Sequence, residues 1–300
     1  MKKILYWFVF LLLFSLTFYY REEILIYYNK YLSPTKQEPS TLIKNEYYRN
    51  YNFKFVSNTD NFFPNNKQDI LNIYYTIINS GMDEFTFYCK DEYETCLDDV
   101  KNIAYNKTIL SSINDYVHPF NSFSNIETSY DKLGKIIIKV SHNYDDEMIV
   151  LLNYKVNEII KNNITSNMSD KTKIRKIHDY IINNSKYDRN RSDKNIFDYK
   201  SNNAYGVLLE GYGICSGYTD SMMLFLEKLG IESYKVSSDN HVWNKVLINN
   251  KWYNLDLTWD DPISSDGKDL LLHDFFLISD EDMLKLDKTE HTYDKSVYSN

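Results

Sequence analysis

Two alternating segments, HVWNKVLI at 241–248 and KWYNLDLTW at 251–259, are separated by Asn249-Asn250 alone. Alternation of apolar and polar residues marks half-buried strands, and Asn-Asn suits the two-residue turn of a hairpin. This stretch constrains the fold more than any other, because a two-residue turn sets the register of the whole pair. Ile248 then faces Lys251, Trp243 faces Asp256 and His241 faces Thr258. Paired residues share a sheet face, as do residues two apart, so His241 and Asp256 become diagonal neighbours about 7–8 Å apart along the backbone. Their side chains can meet across that gap. A carboxylate that accepts the imidazole N–H fixes the tautomer and leaves the second ring nitrogen for a thiol. A three-residue loop would invert the parity of one strand and send Asp256 to the opposite face, so the expectation depends on the turn.

A thiol stands upstream in AYGVLLEGYGICSGYTDSMMLFLEKLGI, where Cys215 follows a glycine-rich turn, Gly211-Tyr212-Gly213, and opens a helix. Tyr218, Met222, Phe225, Leu226 and Leu229 form the apolar face of that helix and Gly230 ends it. The unpaired N–H groups and positive dipole at a helix start stabilise a thiolate, which is the nucleophilic form. Gly213 and Gly217 are expected to let a substrate backbone approach the sulfur, and Trp243, on the face of the imidazole and carboxylate, to line the cleft. Asp260 and Asp261, with Pro262, read as the turn after the strand. Trp252 and Trp259 read as core, and His178 and His273 as structural.

The blocks GYGICSGYTDSMMLFLEKLGI and HVWNKVLINNKWYNLDLTWDDP, with KIHDYIINNSKYD before them and HDFFLISDEDM after, strongly resemble the transglutaminase-like superfamily over roughly residues 165–280. They most resemble its bacterial branch, related to transglutaminase/protease-like cytokinesis proteins. The resemblance implies an α+β, papain-like core in which the helix carrying the cysteine packs on an antiparallel sheet carrying the histidine and aspartate. Cys215 would be the nucleophile, His241 the general base and then acid, and Asp256 the orienting carboxylate. Val242 stands where many members have alanine. A thiol triad needs no cofactor, no metal site is expected, and no dense carboxylate loop supports the calcium dependence known in animal relatives. The implied substrate is a protein or peptide, including cell-wall peptides, whose amide is hydrolysed or transferred to an amine. The alternative is a non-catalytic module that keeps the fold for binding or scaffolding in envelope or division assemblies.

The remaining sequence divides into four parts. Residues 1–28 hold an uncharged run, 4–20, after Lys2-Lys3. At roughly 25 Å it nearly matches a hydrocarbon core, and it ends in bulky Thr17-Phe18-Tyr19-Tyr20 rather than a small-residue cleavage site. It is read as a single-pass membrane anchor that places the remainder outside the cytoplasm, the protein being secreted if the segment is cleaved. Residues 29–45 read as a linker. Residues 46–145 read as an α+β domain with strands at Phe53–Val56, Phe85–Tyr88 and Ile136–Val140 and helices over Asp69–Ile78 and Leu97–Ile113, and with no chemical constellation; His118 and His142 read as surface or satisfied histidines. Residues 146–300 form the transglutaminase-like domain and begin with two amphipathic helices. Cys89 and Cys96 in YCKDEYETC can form a disulfide in an oxidising compartment, or can remain free thiols. Three cysteines without a Cys-x-x-Cys pair exclude a four-thiolate zinc ribbon. Thirty-four basic against 42 acidic residues, with no basic block, exclude the electrostatic footprint of nucleic-acid binding.

Overall fold

A computed structural model describes residues 2–28, 37–262 and 270–298. The chain starts with two consecutive helices, α1 (Lys2–Tyr19) and α2 (Arg21–Tyr27). α1 follows the expected apolar run, and Trp7, Phe8, Leu11 and Phe14 on its different sides all stand exposed. Its 18 residues rise about 27 Å and include Lys2 and Lys3. Among the described residues no helix is long and apolar enough to cross a membrane, so the spanning helix expected over 4–20 is not found. Of the expected linker, residues 29–36 lie outside the described residues. The rest is not a free stalk: Gln37 donates to the Leu133 carbonyl at 3.1 Å and Asn45 Nδ2 to Asn121 Oδ1 at 2.7 Å.

The next part contains α3 (Lys67–Asn79), β1 (Glu84–Tyr88), α4 (Cys96–Ala104), α5 (Lys107–Asp115), β2 (Phe123–Tyr130) and β3 (Lys135–His142), with the strands in the antiparallel order β1-β3-β2. α3 begins where the Asn66 side chain accepts from the Asp69 N–H, and it buries Ile70, Ile73, Tyr74 and Ile77 at helical spacing. The helix expected over Leu97–Ile113 is two helices, because Asn106 leaves the first and caps the second by accepting from Ile109 N–H. Phe53–Val56 is no strand. The Phe53 N–H closes a turn on the Val56 carbonyl at 2.9 Å, and both side chains plug the core. β2 carries no clear alternation and escaped the sequence reading, yet it pairs along β3. Cys89 and Cys96 are joined in a disulfide, with Cα atoms 5.8 Å apart, where β1 hands over to α4.

The second half runs α6 (Asp146–Asn163), α7 (Asp170–Asn184), β4 (Lys186–Tyr187), α8 (Arg189–Lys194), β5 (Tyr212–Gly213), α9 (Cys215–Lys228), β6 (Ser233–Ser237), β7 (Val242–Ile248), β8 (Lys251–Leu255), α10 (Leu257–Asp260), β9 (Phe276–Ile278), α11 (Asp280–Leu286) and α12 (Lys295–Tyr298). Its sheet is antiparallel in the order β6-β7-β8-β9. α9 lies between this sheet and α7, so every residue from Gly217 to Leu226 is buried. A polar bridge crosses this interior: Lys235 Nζ lies 3.0 Å from Asp220 Oδ1, and the Tyr144 hydroxyl donates to Asp220 Oδ2 at 2.7 Å. Tyr234, Val236, Trp243 and Tyr298 belong to the same buried cluster as Phe53, Tyr75 and Tyr116, so the two halves share a core.

Candidate active site

Asn249 and Asn250 both have positive φ, 49° and 62°, as a two-residue hairpin turn of the mirror-image type requires. The register follows as Ile248↔Lys251, Leu247↔Trp252, Val246↔Tyr253, Lys245↔Asn254 and Asn244↔Leu255. His241 precedes β7 and Asp256 follows β8, so both sit at the open end of the hairpin. There His241 Nε2 lies 2.6 Å from Asp256 Oδ2. Asp256 is also the N-cap of α10: its Oδ1 accepts the amides of Thr258 at 2.9 Å and Trp259 at 3.2 Å. The cap holds one carboxylate oxygen still and turns the other toward the imidazole.

Cys215 is the first residue of α9 and carries a free, half-buried thiol. The residue before it, Ile214, supplies no side-chain cap, unlike Asn66, Asp145 and Ser169 at the starts of α3, α6 and α7. The first amides of α9 therefore have neither an intrahelical acceptor nor a side-chain one. Thr219 ties this turn to the strand, its Oγ1 lying 2.8 Å from the Cys215 carbonyl and 3.0 Å from that of Val242. His241 thus meets Asp256 at 2.6 Å, and Cys215 lies near enough to the imidazole to raise its proton affinity. Burial opposes a charge on His241, but the Asp256 carboxylate and Cys215 outweigh it and hold the imidazole's pKa well above its ordinary value. Burial likewise opposes the charge on Asp256, and His241 and His291 outweigh it, keeping the carboxyl well below the usual range. The Tyr187 phenol, raised mainly by burial, lies close enough to Cys215 to feel its charge.

The glycines and the tryptophan do other work than expected. A side chain on Gly213 would meet Val207 Cγ2 at 2.7 Å and the Tyr218 ring at 2.8 Å, and one on Gly217 would meet the Ser201 carbonyl at 2.3 Å. Both are buried against the chain itself, so they serve close packing of α9 rather than approach of a substrate. Trp243 is fully buried and lines no cleft: its Nε1 donates to Asn254 Oδ1 at 2.9 Å, and its ring backs the His241 imidazole at 5.9 Å, nearly parallel. Asp260 and Asp261 are not an exposed turn either. Asp260 accepts the Phe275 amide at 3.0 Å and lies 3.1 Å from His178 Nε2, and Asp261 accepts from the Tyr218 hydroxyl.

One residue of the site was missed. His291 is fully buried, with Nε2 3.0 Å from Asp256 Oδ2 and Nδ1 2.9 Å from Asp287 Oδ2. It comes from the polar segment DKTEHTYDK, which has no periodicity; the one available sequence signal was the i,i+4 spacing of Asp287 and His291. Two triplets bring possible ligand atoms together, His241-Asp256-His291 and His178-Asp179-His273. In both, the nitrogens and oxygens already stand at hydrogen-bond distance from one another.

Residues 158–257 match the family model of the transglutaminase-like superfamily. The core of this chain is transglutaminase-like. No curated protein matches. Among solved structures, a TGase is 15% identical over 46% of this chain and 44% of its own, with a TM-score of 0.34. A Cytophaga hutchinsonii protein proposed to be a cysteine protease is 14% identical over 49% of this chain and 65% of its own, with a TM-score of 0.28. The chain thus spans less than two thirds of either, and both likenesses are distant.

Proposed function

We propose that this chain is a thiol enzyme acting on amide bonds of proteins or peptides, with Cys215 as nucleophile, His241 as base and acid, and Asp256 as the carboxylate that orients it. The observation that supports the reading is a free thiol, on the uncapped first turn of α9, near an imidazole hydrogen-bonded to a buried carboxylate. The raised proton affinity of His241 favours an imidazolium beside a thiolate. The thiolate attacks the carbonyl carbon, and the oxyanion that forms faces the free amides of the helix start. When the tetrahedral species collapses, the C–N bond breaks, the His241 proton passes to the leaving nitrogen and a thioester remains. His241 then takes a proton from water or an amine, whose attack releases an acid or a new amide and restores the thiolate.

Two features support an extracytoplasmic setting in which proteins or cell-wall peptides are the substrates. The Cys89–Cys96 disulfide fits an oxidising compartment, and the apolar run 4–20 behind Lys2-Lys3 fits an exporting or anchoring segment. Protease accessibility in intact cells tests that placement; a chain protected until lysis refutes it.

The decisive assay compares wild type with Cys215→Ala on a glutamine-bearing protein and a labelled primary amine, following amine incorporation together with ammonia or peptide release. Cys215-dependent incorporation makes the chain a transglutaminase, and Cys215-dependent release without incorporation makes it a hydrolase. Absence of both, with Cys215 alkylated no faster than an ordinary thiol, refutes the enzyme reading in favour of a binding module.

A further inference from the structure

Asp256 Oδ2 receives two imidazoles, His241 at 2.6 Å and His291 at 3.0 Å, while Oδ1 is occupied by two backbone amides. Beyond His291 stands Asp287, itself fixed by the amides of Thr289 and Glu290 at 3.2 and 2.8 Å. A carboxylate only accepts, so satisfying both ring nitrogens of His291 requires both to carry hydrogens. The ring is boxed by Phe275, stacked at 5.1 Å, by Trp243 at 5.1 Å and by Trp259 at 5.2 Å. An apolar side chain would fill that box without burying two more polar contacts, so space-filling does not account for a histidine here.

We propose that His291 is a positioning residue of the candidate catalytic chain: held by Asp287, it fixes Asp256 and shares its charge, and so sets how firmly His241 keeps its proton. The inference rests on the function proposed above, since it gives His291 a part in the same chemistry. Among the described residues, the charged and titratable groups around His291 are few. Asp256 and Asp287 are bonded to it, His241 lies edge-on at 5.3 Å, and the Glu290 carboxylate turns aside to Trp259 Nε1 at 3.2 Å. Cys215 also acts on His241. With His291 in place, Asp256 divides its pull between two rings, and the His241 proton is freer to pass to a leaving group. Without it, the whole carboxylate charge falls on His241, which then keeps its proton to higher pH.

The test is an NMR titration of the 15N-histidine-labelled full chain, with the His241 signal assigned by its loss in His241→Asn. In His291→Phe the His241 midpoint should move up by about one pH unit, a tenfold rise in proton affinity. His291→Gln should move it the same way by less. An unmoved or lowered midpoint in folded variants overturns the inference. Should His291→Phe fail to fold, His291→Gln carries the same sign from a milder change in the same box. Iodoacetamide alkylation of Cys215 in wild type and His241→Asn separates the two readings. A rate dependent on His241, with an unmoved midpoint, removes the role of His291 alone. Equal rates remove the proposed function, and this inference with it.

Discussion

The same half of the molecule contains two histidine–carboxylate networks built from nearly the same parts. In one, His241 and His291 share Asp256, and Asp287 closes the far end. In the other, His178 stands between Asp179 at 2.9 Å and Asp260 at 3.1 Å, and His273 reaches Asp179 at 2.7 Å. The second network cements α7 to the segment returning after α10: Asp260 also holds the Phe275 amide, and the His178 and His273 rings lie 5.1 Å apart. The first ends on the thiol at an open helix start. Histidine–aspartate pairing therefore also serves as structural cement, and what sets the first network apart is the free thiol near its end.

The largest expected effect separates the networks directly. Asp256→Ala leaves two imidazoles and two amides without their acceptor. It should cost about 3–5 kcal/mol of stability and reduce Cys215-dependent turnover by roughly 10³- to 10⁴-fold, read by denaturant melts and amine incorporation. Asp260→Asn breaks the cementing network. It should cost about 2–3 kcal/mol and leave the alkylation rate of Cys215 in the folded fraction within a few-fold of wild type. A loss of reactivity as deep as that of Asp256→Ala would erase the distinction between the networks.

The disulfide belongs to neither network, and Cys89→Ser with Cys96→Ser should cost about 2–3 kcal/mol with Cys215 alkylation unchanged. The smallest effect is on the pH dependence of Tm. His241 gains protons on folding, so its contribution is whole below about pH 6.5 and lost as pH rises through the raised folded value. Asp256 loses its proton more readily on folding, so its contribution is whole above about pH 3.9 and lost as pH falls through the lowered value. Tm should therefore carry a contribution from this pair that is greatest between those limits and absent in Asp256→Asn; an unchanged difference in Tm between wild type and variant from pH 4 to 9 would refute the coupling.

The hairpin was legible because its information is local. Asn249-Asn250 can occupy the left-handed region, and a two-residue turn leaves a single register; the ladder ends at Asn244↔Leu255, so the expected pairs Trp243–Asp256 and His241–Thr258 do not form, Thr258 lies in α10, and His241 meets Asp256 just beyond the paired strands. The helix starts at Asn66 and Ser169 rest on equally local contacts, a short polar side chain meeting an amide three residues on. The errors came where distant chain decides a residue's role. Phe53–Val56 is as apolar as a strand but has no neighbouring strand to pair with, and it closes a turn on itself. Gly213 and Gly217 sit beside the thiol in sequence, but the loop that crowds them comes from Ser201 and Val207.

By itself the sequence determined the hairpin register, the helix that begins on Cys215 and the resemblance of the core, because turn chemistry and periodicity act over a few residues. Only the tertiary structure decided that Trp243 is interior, that Asp260 is buried cement and that the Asp256 carboxylate has a second imidazole. Those outcomes depend on bringing together groups such as Asp256 and His291, 35 residues apart. No local pattern encodes such contacts; they arise when the core closes and every buried carboxylate must find donors.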